Sequence, residues 1–324
     1  MKKTLLILLM ALSCQVNAQE GCTDPLALNY DSTARTNNGS CQYANLKLSA
    51  TLKFSLPKGL AENSGMIYWN NKIWIHNDGG YDPSLFEMDT TGKVSRRIKV
   101  SNALNMDWED IAQDENYVYI GDFGNNETGV RKNLRIIRIA KKSLLDTTVV
   151  KGELIQFSYA DQTDFNSPGP GKTDFDCEAM IVVNGKIYLF TKQWTSAGTV
   201  LYEFPAEPGT QVALKKGSLQ TNGLVTAASY DPATRTVILV GYGVPLLNRF
   251  IYLLYDYKDD AFFSGNKRKM TINASKQTEA VFLLGKQVWI SNEDSFFGPA
   301  AVEALDLETI YLQGSRQQAA GSKK

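Results

Sequence analysis

Histidine and one-sided charge are what this chain most lacks. Its 324 residues hold one histidine, His76, and 34 basic side chains balance 34 acidic ones. A single histidine excludes a zinc centre built from several imidazoles, and a Ser-His-Asp triad would rest on that one residue. No G-x-S-x-G serine motif accompanies it, so His76 reads as a packed or hydrogen-bonding side chain. Balanced charge leaves no global field to draw in nucleic acid or an anionic membrane. The most basic stretch, KNLRIIRIAKK (132–142), alternates charge with Leu and Ile and reads as the solvated face of an outer strand. Sustained helical periodicity is missing too. So is a long apolar run, since Leu5 to Leu12 is too short to span a bilayer.

That short run belongs to a targeting segment, residues 1–18. Lys2 and Lys3 supply its charged start, and Val16-Asn17-Ala18 is a small-residue cleavage site before Gln19. Ala11-Leu12-Ser13-Cys14 resembles a bacterial lipobox, which offers the alternative of a lipoprotein anchored through Cys14. Either route takes the mature chain out of the cytoplasm, to a secreted or periplasmic location where disulfides persist. Of the four cysteines, Cys22 and Cys41 bracket one turn-rich segment and are expected to pair. Cys177, beside an apolar strand, is expected to be a small buried side chain rather than a reactive thiol.

What the chain has in abundance is repetition. Five times a strand opens, at Ser64, Glu109, Glu178, Ala228 and Glu279, and nine positions later comes Ile73, Val118, Ile187, Val237 or Val288. The stretches from those residues, IWIHND, VYIGDF, IYLFTK, VILVGY and VWISNE, match one another. A period of about 50 residues with four short strands per unit predicts an all-β fold, a five-bladed β-propeller. A six-bladed ring is the alternative if residues 143–176 contain a degenerate unit. The segment 160–176 is rich in Gly, Pro and Asp and reads instead as a loop insertion. Residues 46–57 resemble the last strand of the other units and are expected to complete the final blade, closing the ring. The organisation expected is a signal segment 1–18, a disulfide-closed loop 21–43, a propeller 46–314 and a disordered tail 315–324.

Antiparallel pairing puts the start of one strand beside the end of the next. The unit openings therefore share one mouth with the ends of the second strands. Glu109, Glu178, Glu279 and Asp122 are the metal-ligand candidates there. His76, Asn77, Asp78, Lys192, Asn292 and Glu293 are the other funnel-mouth candidates, with Asp107, Asp110 and Asp176 flanking them. Converging carboxylates repel unless a cation or protons neutralise them. Outside the cell, Ca²⁺ is the economical hard cation. Lys192 or Arg131 could do the same without metal. GDFGNN (121–126) leads into no helix and reads as a tight turn rather than a phosphate loop.

The pieces ENSGM, DWEDIA, GDFGNN, DCEAM and QTEAV resemble a family of largely uncharacterised secreted bacterial propellers, over most of residues 60–300. In repeat style and acidic mouth the chain is also similar to esterase-like phytase and gluconolactonase-type propellers. The resemblance implies a cation in the funnel, carried here onto Glu109, Glu178, Glu279 and Asp122. The fourth unit departs, with Ala228 and Gly241 where the others are polar, which argues against a dense multi-calcium site. Residues 21–43 resemble the C-T-D-P…G-S-C units of secreted proteins from Gram-negative bacteria. Their Asp24, Asn29 and Asp31 are expected to cap turns, with a calcium ion as the alternative for the same oxygens. Two functions of different class follow for a protein expected to be monomeric. One is extracellular recognition of a glycan or protein. The other is metal-assisted hydrolysis of a phosphate or other ester, with the cation polarising the bond and a carboxylate activating water. The lack of a dedicated nucleophile favours recognition.

Overall fold

A computed structural model describes residues 19–245 and 248–307. The targeting segment with Cys14, and the tail 315–324, lie outside the described residues.

Local sequence sets the hairpins. Asn70-Asn71 and Asn184-Gly185 are two-residue turns with both φ angles positive, 53° and 57° in one and 52° and 73° in the other. That conformation carries the twist that joins right-handed strands without splaying them. The strands they lead into are apolar on both faces: Lys186–Lys192 is buried from Ile187 onward, so it must lie inside. The Glu153–Tyr159 strand instead alternates, burying Ile155, Phe157 and Tyr159, as an outermost strand with one wet face does.

Among the described residues, these strands form five four-stranded meanders. The first comprises Asn63–Trp69, Lys72–Asn77, Ser84–Met88 and Val94–Val100. The second comprises Trp108–Gln113, Tyr117–Asp122, Arg135–Ala140 and Glu153–Tyr159. The third comprises Asp176–Val183, Lys186–Lys192, Thr199–Pro205 and Gly209–Leu219. The fourth comprises Leu224–Asp231, Thr236–Gly243, Asn248–Tyr255 and Asn266–Ser275. The fifth comprises Thr278–Leu284, Gln287–Asn292 and Ala301–Asp306, and Thr51–Ser55 completes it from the far end of the chain. Each first strand packs on the next first strand, and the fifth returns to the first. The result is a propeller-like all-β ring around a central channel, with an apolar layer between each pair of neighbouring sheets.

Outer edges are paired rather than left bare. The Glu153–Tyr159 and Gly209–Leu219 strands run parallel and fuse the second and third meanders into one eight-stranded sheet. Val149–Val150 covers the first sheet and Lys47–Leu48 the fourth. Residues 46–57 therefore serve two sheets, since Lys47–Leu48 joins the fourth and Thr51–Ser55 the fifth.

Two expectations are corrected. The basic stretch is no solvated outer face: its Arg135–Ala140 strand is third of four. Arg135 reaches Asp122 at 2.8 Å, while Arg138 meets Glu153 and Glu207 at 2.9 and 3.1 Å. The fourth unit opens at Thr226, not Ala228, because its first hairpin is longer. Tyr230 pairs with Val237, as Val182 pairs with Ile187 in the third meander. Asp24, Asn29 and Asp31 take the turn-capping role and lock their own loop. Asp24 Oδ1 accepts the Leu26 N–H at 2.8 Å, Asn29 Oδ1 the Gln42 N–H at 2.7 Å, and Asp31 Oδ1 the Thr33 N–H at 2.8 Å.

Cys22 and Cys41 form a disulfide, and Cys177 is free and buried. The closed loop is docked on the fourth sheet. Asp24 Oδ2 accepts the hydroxyls of Tyr43 and Tyr255, and Asn37 Nδ2 donates to Asp256 and Asn266, both at 2.9 Å.

Candidate functional site

A bulge near the start of every first strand builds the mouth. In the first, third, fourth and fifth meanders one residue has no opposite number on the second strand: Ser64, Glu178, Thr226 and Glu279. In the second meander Glu109 and Asp110 lie opposite Gly121 alone. A bulge kinks its strand and re-aims the extra side chain. Five equivalent side chains are thereby set at one end of the channel, three of them carboxylates. The two hydroxyls link neighbouring strands: Ser64 donates to the Glu109 carbonyl and Thr226 to the Thr278 carbonyl, each at 2.5 Å.

Glu109, Glu178 and Glu279 are only 3–4% exposed. Burial raises the carboxyls of Glu109 and Glu279 well above the ordinary glutamate value, and repulsion from Glu178 and from Glu293 adds to it. Burial raises Glu178 as well, against the pull of Lys192. Glu279 Oε1 has no hydrogen-bond partner. Lys192 Nζ lies 2.7 Å from Glu178 Oε1 and over the rings of Trp194 and Tyr242. Asp122 is fully buried between Arg131 and Arg135, at 2.9 and 2.8 Å. Both of its oxygens thus meet a guanidinium.

The carboxylates that do converge are Asp78, Asp107 and Glu109, each offering one oxygen within 4.8 Å of the others. This group could hold a metal ion. Asp107 is pushed up to about 7 by burial and by Asp78 beside it. Asp78 is also raised, by burial. Gly124 is what lets the following turn close over the group, since a Cβ there would overlap Glu109 Oε1 and the Asp107 carboxyl.

The remaining sequence candidates divide. Glu293 is buried, takes the Gln277 amide at 2.6 Å and is pushed up to about 8 by burial and by Asp78. Asn77 and Asn292 brace backbone: Asn77 Nδ2 donates to the Gly59 carbonyl and Asn292 Nδ2 to those of Glu293 and Pro299. His76 is fully buried, edge-on to Trp108, with Nδ1 at 3.0 Å from the Asn77 carbonyl oxygen. Burial pushes its imidazole down to about 4, so it packs as a neutral ring.

Two flanking residues do more than their positions suggest. Asp176 accepts the Asn125 N–H at 2.6 Å and the Trp194 indole at 2.8 Å. Asp110 crosses between strands: it accepts the N–H groups of Ile111, Met180 and Ala228 at 2.8, 2.8 and 3.2 Å. It ties three first strands together. Ile111, Met180 and Ala228 also line a cavity of about 690 Å³ that extends to the first-hairpin residues Asp114, Asn184 and Pro232, at the opposite end of the channel. The alternation of a strand cannot announce that bridge, because its partners are backbone groups distant in sequence.

No protein-family model and no curated protein matches the chain. The solved structures to which it is similar at low identity include the following three. Hydrazine synthase of Kuenenia stuttgartiensis is 12% identical, covering 73% of this chain and 57% of that one, with a TM-score of 0.39. The PQQ-bound aldose sugar dehydrogenase of Streptomyces coelicolor is 10% identical, covering 79% and 97%, with a TM-score of 0.45. A protein provisionally assigned as a 6-phosphogluconolactonase from Bacteroides uniformis is 12% identical, covering 78% and 66%, with a TM-score of 0.39. No helix among the described residues is long and apolar enough to cross a membrane.

Proposed function

We propose that this protein is a secreted five-bladed β-propeller, spanning residues 46–314 with the loop unit 21–43 docked on it, that binds Ca²⁺ at its acidic mouth. That mouth recognises an extracellular glycan or protein. The blade count is supported by five meanders whose first strands close a ring. The observation that carries the function is the convergence of Asp78, Asp107 and Glu109. Three carboxylates that close, one of them buried, repel unless protons or a cation neutralise them. A hard divalent ion takes six to eight oxygens, so three carboxylates would leave positions for water or a ligand. Asp122 and Glu178 stand outside this set because arginines and Lys192 already neutralise them. Recognition is preferred to hydrolysis. His76 is walled in, Cys177 is buried, and the Ser64 hydroxyl is spent on the Glu109 carbonyl.

Calorimetry and thermal melts of the mature chain test this. Ca²⁺ should bind and raise the melting temperature, by about 2.7 kcal/mol of stabilisation at a hundredfold excess over Kd. Glu109→Gln should abolish most of that response, whereas Glu178→Gln should weaken it less. No binding up to millimolar Ca²⁺ would remove the cation and leave an acidic channel end.

A further inference from the structure

The end of the ring that carries the acidic mouth also holds several apolar side chains out in water. Loops joining second to third strands, and fourth strands to the next first strand, all leave the ring at the bulged end. Tyr81 stands three residues beyond Asp78 and is 44% exposed. Leu104 and Met106 stand three residues and one residue before Asp107 and are 67% and 46% exposed. Phe296 and Phe297 follow Glu293, at 100% and 47%. A fully exposed phenylalanine beside a second exposed ring is a costly arrangement unless something covers it.

The pattern departs from that of a protein–protein contact, which is apolar and charge-depleted at its centre with a polar rim. Here the centre is carboxylate, and exposed apolar side chains stand among the polar ones of the rim, such as Asp82, Lys132 and Asp294. Such a surface fits a ligand that is small, rich in hydroxyl donors and apolar on its ring faces. We infer that the mouth binds a saccharide. Its hydroxyls would reach the Asp78, Asp107 and Glu109 group, and a sugar ring face would lie on Phe296 or Phe297. Glu279 adds an independent sign of a missing partner, since its Oε1 is buried with no hydrogen-bond partner. The inference rests on the recognition reading above and deepens it by choosing the ligand class. Hydroxyls coordinating the cation would fill the positions the three carboxylates leave open.

Native gels cast with laminarin, galactan, mannan or dextran test it, run with Ca²⁺ and again with EDTA. The protein should be retarded by at least one of the four. The double variant Phe296→Ala, Phe297→Ala should lose about tenfold in affinity while keeping its melting temperature and its Ca²⁺ binding. Val212→Ala, an exposed apolar side chain on an outer strand, should change nothing. Retardation that survives EDTA supports the saccharide site and refutes the calcium reading, so the two can fail separately. Retardation by none of the four polysaccharides overturns the inference. So does a double variant that binds as wild type does.

Discussion

Lys192 and Glu178 form an ion pair 2.7 Å long in which both side chains are 4% exposed. Taking two charges out of water is expensive, and the pair offsets that only while both members stay. Lys192→Met should therefore lower stability by about 3–5 kcal/mol, because it strands a buried carboxylate. Adding Glu178→Leu should recover most of the loss. Urea unfolding of the single and double variants reads both. A loss under about 1 kcal/mol in Lys192→Met would mean that water reaches the pair.

The pH dependence should have two opposed limbs. Burial alone would raise the Glu303 carboxyl, but Lys276 at 2.9 Å and Arg249 outweigh it and hold it below the ordinary value. Its stabilisation is present above the unfolded-state value of about 4.3 and disappears as pH falls through the lower folded value. Glu293 behaves the other way. Its folded state keeps a proton up to about 8. Stability should accordingly decline as pH rises from about 4.3 toward that value. Melting temperatures measured in EDTA should show Glu303→Gln flattening the acid limb and Glu293→Gln the alkaline one. An unchanged alkaline slope in Glu293→Gln would contradict the assignment.

Thr226 should prove to be the structural equivalent of the channel glutamates. Thr226→Val keeps the shape and removes the hydroxyl that the Thr278 carbonyl accepts, which should cost about 1 kcal/mol. Ser64→Ala removes the corresponding bond to Glu109, and the two losses should be similar in chemical denaturation. A neutral Thr226→Val would show that the hydroxyl does not link these strands.

Reducing the Cys22–Cys41 bond should loosen the docked loop and leave the ring folded. On the chain-entropy account, closing a loop of this length is worth roughly 3 kcal/mol. Hydrogen exchange under reductant should rise through residues 21–43 and along Asn266–Ser275, the strand whose residue Asn266 the loop contacts. Exchange in Asn63–Trp69, in the first meander, which does not neighbour the fourth, should not change. A uniform rise everywhere would mean that the loop is part of the global folding unit.

Much of the architecture was legible in the chain. The recurrence of β-branched apolar stretches marked five second strands. Cys22 and Cys41 could be paired because they bracket one short segment. The fourth unit was misread by two residues because its longer hairpin, across Asp231 to Thr236, shifts the spacing without changing the pairing. Counting along the chain measures loop length as well as register.

Sequence alone thus determined where the second strands recur and that acidic residues stand at three of the five unit starts, since each depends on neighbours a few residues apart. Tertiary structure decided which carboxylates are already satisfied. Arg131 and Arg135 claim Asp122, Lys192 claims Glu178, and Asp78 instead joins Asp107 and Glu109. Charge interactions act through space and across sheets, so Asp78 meets Asp107 and Glu109, which stand 29 and 31 residues further along the chain. Burial then sets their strength, and a residue's burial is a property of the closed ring rather than of its own strand.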